Sequence, residues 1–139
     1  MIISIKKAML GICNDAISKL SAYKGSLDKE ERREKKAISS THYIFLSDMI
    51  PLSKLLDNTI ILITNELKTA EGKNDIESIR IFTDLFEKGT VLKGLIDGYF
   101  SLSEDALNQD GCLTSLKNLT ELTLRKIINF KNTQHPPTP

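Results

Sequence analysis

The chain holds two histidines and two cysteines, His42, His135, Cys13 and Cys112. Nucleophilic catalysis at a serine or cysteine needs an imidazole within hydrogen-bond reach and a third group that orients it. His135 lies in the proline-rich end NTQHPPTP. His42 falls one turn after Ile38 on an apolar face, with no orienting partner at local spacing. A lone histidine so placed is expected to be a satisfied core residue rather than a base. Cys13 falls on the apolar stripe of the first helical segment and reads as a small core residue. Cys112 follows Gly111 in a turn. The two are 99 positions apart and make no CxxC pair, which removes the usual thiol redox and zinc spacings.

Metal and nucleotide chemistry lack their spacings too. There is no HExxH or ExxH, and the acidic stretch EDALNQD lacks the EF-hand rhythm of alternating oxygens followed by glycine. No GxxxxGK[ST] or GxGxxG loop is present, and Gly89, Gly94 and Gly98 have the wrong spacing to cradle a phosphate. Carboxylate pairs such as Glu30 and Glu34 fall in a charge-balanced run, where ion pairing with neighbouring bases is expected. The expectation is a protein without catalytic residues, metal or cofactor.

Charge is more informative than any motif. The net charge is +1, from 19 basic and 18 acidic residues, which does not describe a strongly basic nucleic-acid binder. The distribution is uneven. Residues 97–110 carry Asp97, Glu104, Asp105 and Asp110 with no base, a net of −4, and include Tyr99 and Phe100. Acids beside aromatics suit a basic protein partner, so Asp97, Tyr99, Glu104, Asp105 and Asp110 are the expected partner-binding residues, with Tyr99 and Phe100 open between core and surface. The competing surface is the last helix, where Lys117, Arg125, Lys126 and Lys131 could meet nucleic acid, although four scattered bases make a weak electrostatic footprint.

The elements that would position these residues follow from hydrophobic period. Ile2, Ile5, Met9, Ile12, Cys13, Ala16, Ile17, Leu20 and Tyr23 recur at spacings of three and four, which predicts a helix over 2–24 ended by Gly25 and Ser26. Asp28 and Glu31 have the form of a capping box for a second helix over 28–48, whose charged start, Lys29–Lys36, is expected to be solvated. Pro51 predicts a break or kink at 47–51, then a helix over 51–69. The β-branched run at residues 58–65 could be a strand on propensity. Leucines on both sides keep the helical period, and no second strand exists to pair with it.

Asn74 to Glu77 resembles another cap, for a helix over 75–100, and Ser103 reads as the start of a short one over 103–109. Gly94 and Gly98 are expected to admit a close neighbour. A final helix spans 113–131. With 40% apolar and 27% charged residues, the composition is that of an ordinary globular chain. The prediction is an all-α, compact antiparallel bundle of four to six helices forming one domain over 1–131, with a disordered tail over 132–139. No segment has the form of a signal peptide or membrane span, so a cytoplasmic protein is expected.

By elimination, the expected function is a non-enzymatic protein-binding module. Its sharper form is a small cytosolic inhibitor, of the immunity or antitoxin kind, that blocks a basic toxin or enzyme. The alternative is a nucleic-acid-binding regulator using the basic last helix. A homodimer packed through Gly94 and Gly98 is a further possibility.

Overall fold

A computed structural model of the chain describes residues 1–32 and 38–134. Among these there are four helices and no strand: α1 (Ile2–Glu31), α2 (Ile38–Gly72), α3 (Ile76–Leu107) and α4 (Cys112–Gln134). They form an antiparallel up-and-down bundle. α2 packs on α3 and on α1, α4 packs on α1 and α3, and the α1–α3 diagonal barely touches. No described helix is long and apolar enough to cross a membrane.

Most residues at helical period form the core, but Leu55, Ile76, Phe86 and Leu122, which the same period places on the inward faces, are exposed. Ile12, Leu20, Leu27, Leu56, Leu92, Ile96, Leu116 and Ile127 belong to one large buried cluster, drawn from all four helices. A smaller cluster, Ile5, Met9, Ile63, Phe82 and Leu85, closes the end of the bundle where α2 passes into α3. Each fully buried leucine or isoleucine contributes about 1.5–3 kcal/mol relative to exposure.

The helices are fewer and longer than the local signals indicate, and each difference has a tertiary cause. α1 does not stop at Gly25. Leu27 is buried in the main cluster, and Asp28 and Glu31 bind Lys117 of α4, at 2.8 and 2.6 Å, instead of capping a new helix. Packing against α4 therefore outweighs the helix cost of one glycine, about 1 kcal/mol. Glu30, expected in a solvated run, is buried, while Lys29, Glu31 and Arg32 of that run are exposed; its residues 33–36 lie outside the described residues.

Pro51 does not end a helix; α2 runs through it. Proline removes the donor that would meet the Ser47 carbonyl, but Ser47 and Pro51 are both exposed. Water can take the freed acceptor, so the cost of an interior proline is reduced. Residues 58–65 are helical, and the Thr59 and Thr64 hydroxyls donate to the Leu55 and Ile60 carbonyls a turn earlier.

The α2–α3 turn puts Asn74 at φ +53°, a left-handed position that asparagine tolerates. The cap falls one residue later than expected. Asp75 accepts from the Ser78 backbone N–H at 3.3 Å and the Ser78 hydroxyl at 2.7 Å. The connection to α4 turns at Gly111, φ +72°, where a side chain would be strained. α4 continues through Asn132–Gln134, three residues assigned above to the tail; 135–139, including His135, lie outside the described residues.

The glycines of α3 are distributed differently from expectation. Gly89 is the close approach: a Cβ there would stand 3.2 Å from Ile60 Cγ1. At Gly94 and Gly98 an added Cβ would meet nothing within 4 Å, so neither is needed for packing within the bundle. Gly94→Ala and Gly98→Ala should each stabilise the protein by about 0.5–1 kcal/mol, because alanine loses less backbone entropy in a helix. Urea unfolding of the two single variants measures this, and a lower midpoint in either would contradict the open environment.

Candidate functional site

The buried polar groups come first, because they are where chemistry could be hidden. His42 is 0% exposed. Its Nδ1 lies 2.6 Å from the Tyr23 hydroxyl and its Nε2 lies 3.1 Å from Ser103 Oγ. Ser103 Oγ in turn donates to the Phe100 carbonyl at 3.1 Å. With the Ser103 hydrogen directed at Phe100, the tautomer consistent with these contacts carries its proton on Nε2, which donates to Ser103 Oγ. Nδ1 is then the acceptor, and Tyr23 donates to it. The chain runs Tyr23 to His42 to Ser103 to Phe100, one direction throughout, and joins α1, α2 and α3.

A neutral imidazole is required for that order, and the surroundings favour it. Burial holds the His42 pKa below its ordinary value of 6.5. Aromatic packing encloses the chain: Tyr23 stacks on Phe45 with centroids 4.0 Å apart, and Phe45 meets Tyr99 edge-on at 5.8 Å. Burial also pushes the Tyr23 hydroxyl pKa upward. A serine, a histidine and a tyrosine in line have the outline of a nucleophile, a base and an orienting group. Here both Ser103 and His42 are fully enclosed, and every hydrogen in the chain is spent on another member. What this arrangement does is fix the register of three helices.

Tyr99 belongs to the same interior. It is 1% exposed, and its hydroxyl lies 2.9 Å from Thr120 Oγ1, tying α3 to α4. Cys13 is buried too, its thiol pKa pushed up to about 11 by that burial, far from the low values of reactive thiols. Cys112 is half-buried and unpaired.

The five predicted partner-binding residues separate into three settings. Tyr99 is core and takes no part in a surface. Asp97 is half-buried, accepting from Ser53 Oγ at 3.0 Å and pairing with Lys93 at 2.9 Å. Lys93 is shared with Asp57, and its hydrogen bonds to the two carboxylates raise its pKa. Glu104, Asp105 and Asp110 are all exposed, the first two in the last turn of α3 and the third in the turn that follows it. Among the described residues none of the three is in an ion pair. They also crowd the end of a helix whose dipole is already negative, an arrangement unfavourable by a few tenths of a kcal/mol per charge. Asp28, Glu31, Asp57, Glu77, Asp84 and Glu121 have cationic partners, whereas Asp15, Asp48, Glu66, Glu71 and Glu87, like these three, are in no ion pair among the described residues; the acidic end of α3 stands out by three such acids falling within seven positions.

A residue the charge reading overlooked stands near this end. Tyr43 is 63% exposed, and the His42–Ser103 bond puts it at the level of Glu104. Its signal in the sequence was weak: an aromatic directly after a stripe position is forced off the buried face.

Two of the four bases of the last helix are paired with acids, and Lys126 and Lys131 are in no ion pair among the described residues. Lys117 is held by Asp28 and Glu31, and those hydrogen bonds raise its pKa. Arg125 pairs with Glu121 at 2.7 Å, and Lys24 of α1 approaches the same carboxylate at 3.6 Å. No family model matches the chain, and no curated protein or solved structure matches it either.

Proposed function

We propose that this chain is a non-enzymatic protein-binding module that docks a basic partner on the acidic end of α3. One observation carries the reading. Glu104, Asp105 and Asp110 are exposed, free of ion pairs among the described residues, and placed where the helix dipole makes them costly. Charge kept at an electrostatic cost to the fold is characteristic of a functional surface. Tyr43 supplies an aromatic anchor at the same level, the residue type that dominates interface hot spots.

In its sharper form the module is a small inhibitor that covers the cationic substrate-binding face of an enzyme such as a nuclease. The acidic end complements a surface built for phosphate, and the one imidazole among the described residues is spent on the core. The reading places the protein in the cytosol, where the free thiols Cys13 and Cys112 would stay reduced.

The test is capture of a partner from native-source extract by the full chain and by a Glu104→Gln/Asp105→Asn variant, at low and moderate salt. The expected result is one stoichiometric protein held by the wild type and weakly by the variant, with the captured protein's own activity suppressed. Equal capture by both proteins would remove this surface. Nucleic acid that elutes with salt, without a protein, would transfer the function to α4.

A further inference from the structure

The outer face of α2 carries more apolar surface than the bundle uses. Tyr43, Ile44, Ile50, Pro51, Leu55, Ile61 and Leu62 are all exposed. At 100° per residue they fall into two stripes. Tyr43, Ile50 and Ile61 flank α3. Ile44, Pro51, Leu55 and Leu62 fall within about 40° of one another on the side facing α1. Ser47, Lys54, Asn58 and Asn65 separate the two.

The second stripe has a symmetry that selects its occupant. Its spacings are seven, four and seven, so the set is a palindrome centred on Ser53. When two copies of α2 are laid antiparallel across a two-fold axis at Ser53, Ile44 meets Leu62, Pro51 meets Leu55, and Asp48 meets Asn58. An isologous interface requires this self-complementarity, in which residue i meets j and j meets i. The relief of the surface matches. A hollow of about 230 Å³ opens beside Ile44, walled by Ala22, Tyr23 and Phe45 and lined also by Lys19 and Asp48, and another of about 260 Å³ opens beside Leu55, walled by Ala8, Gly11 and Ile12 and lined also by Asp15. The first lies at the level where Leu62 of a second copy would arrive, the second where its Pro51 would.

The geometry points to a second copy of this chain as the occupant: the α1–α2 face is a two-fold dimer interface, with antiparallel α2 helices in contact through Ile44, Pro51, Leu55 and Leu62. The face is about 27 Å long and about 20 Å wide, two helices across. Its footprint of roughly 500 Å² per copy, about 1,000 Å² in total, meets the least expected of a biological interface and suits a weak dimer, since stable ones begin at about 1,200 Å². The acidic end of α3 lies outside it. Self-association therefore stands independently of the partner proposed above, and a dimer would present two acidic ends.

The test combines mass with cross-linking. Sedimentation equilibrium of the full chain should give twice 15.6 kDa at tens of micromolar, and Leu55→Glu, counted twice across the axis, should return it to the monomer mass with its helix content unchanged. In a Cys112→Ser background, Ile44→Cys/Leu62→Cys should form disulfide-linked dimers under mild oxidation. The two positions are about 27 Å apart within one helix, so only inter-chain bonds can form. Either single cysteine variant should stay unlinked. A wild type that remains monomeric up to a millimolar would overturn the proposal, as would a dimer untouched by Leu55→Glu. Efficient linking by a single variant would overturn the antiparallel register.

Discussion

Replacing His42 with alanine should destabilise the protein by about 4 kcal/mol, the largest effect expected of any single surface-neutral change. Two terms add. Loss of a fully buried ring leaves a cavity in a close-packed interior, as in large-to-alanine substitutions of about 2–5 kcal/mol. The Tyr23 hydroxyl is then left without its acceptor in a dry site, at about 1–3 kcal/mol. Against a total stability of roughly 5–15 kcal/mol, that lowers the melting temperature by more than about 10 °C. Tyr23→Phe and Ser103→Ala each remove one link and should cost less. The triple change Tyr23→Phe/His42→Leu/Ser103→Ala removes every member, leaves no orphaned group, and should recover much of the loss. Urea midpoints of the four variants check the order.

The same histidine sets a pH dependence. Burial holds its folded pKa below the ordinary 6.5. Between those two values the unfolded chain binds more protons than the folded one, so stability rises with pH. The contribution is complete above about pH 6.5 and is lost as pH falls from there toward the folded value. Asp28, Asp75 and Glu121 are also held below their ordinary values, by hydrogen bonds from Lys117, Ser78 and Arg125 respectively. Their contributions are lost only at lower pH, below the ordinary carboxylate values of 3.8 and 4.5. Unfolding free energy should therefore decline from pH 6.5 toward 5 in the wild type and stay flat over that interval in the triple variant. A wild-type curve that is flat there would mean that His42 accepts a proton without disturbing Tyr23 and Ser103.

Charge reversal at the acidic end is the second large effect. Glu104→Lys/Asp105→Lys should weaken capture of the basic partner by about a hundredfold or more, since like charges set against each other across an interface cost several kcal/mol. The fold should not suffer: both side chains are exposed, and cations at a helix C-terminus are favourable. Raising ionic strength should weaken the wild-type complex steeply and raise the reversed variant's residual affinity, because salt screens the attraction in one and the repulsion in the other. Isothermal titration with the captured partner at two salt concentrations separates these outcomes. Equal affinity of wild type and reversed variant would dismiss the surface.

Much of the bundle was legible from period alone. Ile38, His42, Phe45 and Met49 before Pro51, and Leu52 and Leu56 after it, are buried or half-buried, because the three-and-four pattern that marks a helix also marks its inward face; Leu55, which that pattern also includes, is exposed. Helix ends were less legible. Gly25, Pro51 and Ser103 each carry a local stop or start signal. The first and last are overridden by distant side chains, Lys117 binding Asp28 and Glu31 and His42 meeting Ser103, while Pro51 is tolerated because it and Ser47 are exposed. Ser103 even continues the stripe Leu92, Ile96, Tyr99 and Ala106, a pattern hidden by its resemblance to a cap. The acidic cluster was visible as a charge asymmetry. Which acids stay free was not, since Asp97 is claimed by Ser53 of α2 as well as by Lys93 one turn earlier in α3, and Tyr99 by Thr120 of α4.

The central claim, that acids crowd the end of α3 for a partner rather than for the fold, makes two opposite demands of one variant. Glu104→Gln/Asp105→Asn should melt a little higher than the wild type at low salt, because repulsion with the helix dipole is relieved, while its affinity for the partner falls at least tenfold. Melting temperature and partner affinity, measured on the same preparation, decide the matter. Higher stability with weaker binding is the predicted result; lower stability with unchanged binding would show that the acids serve the bundle itself.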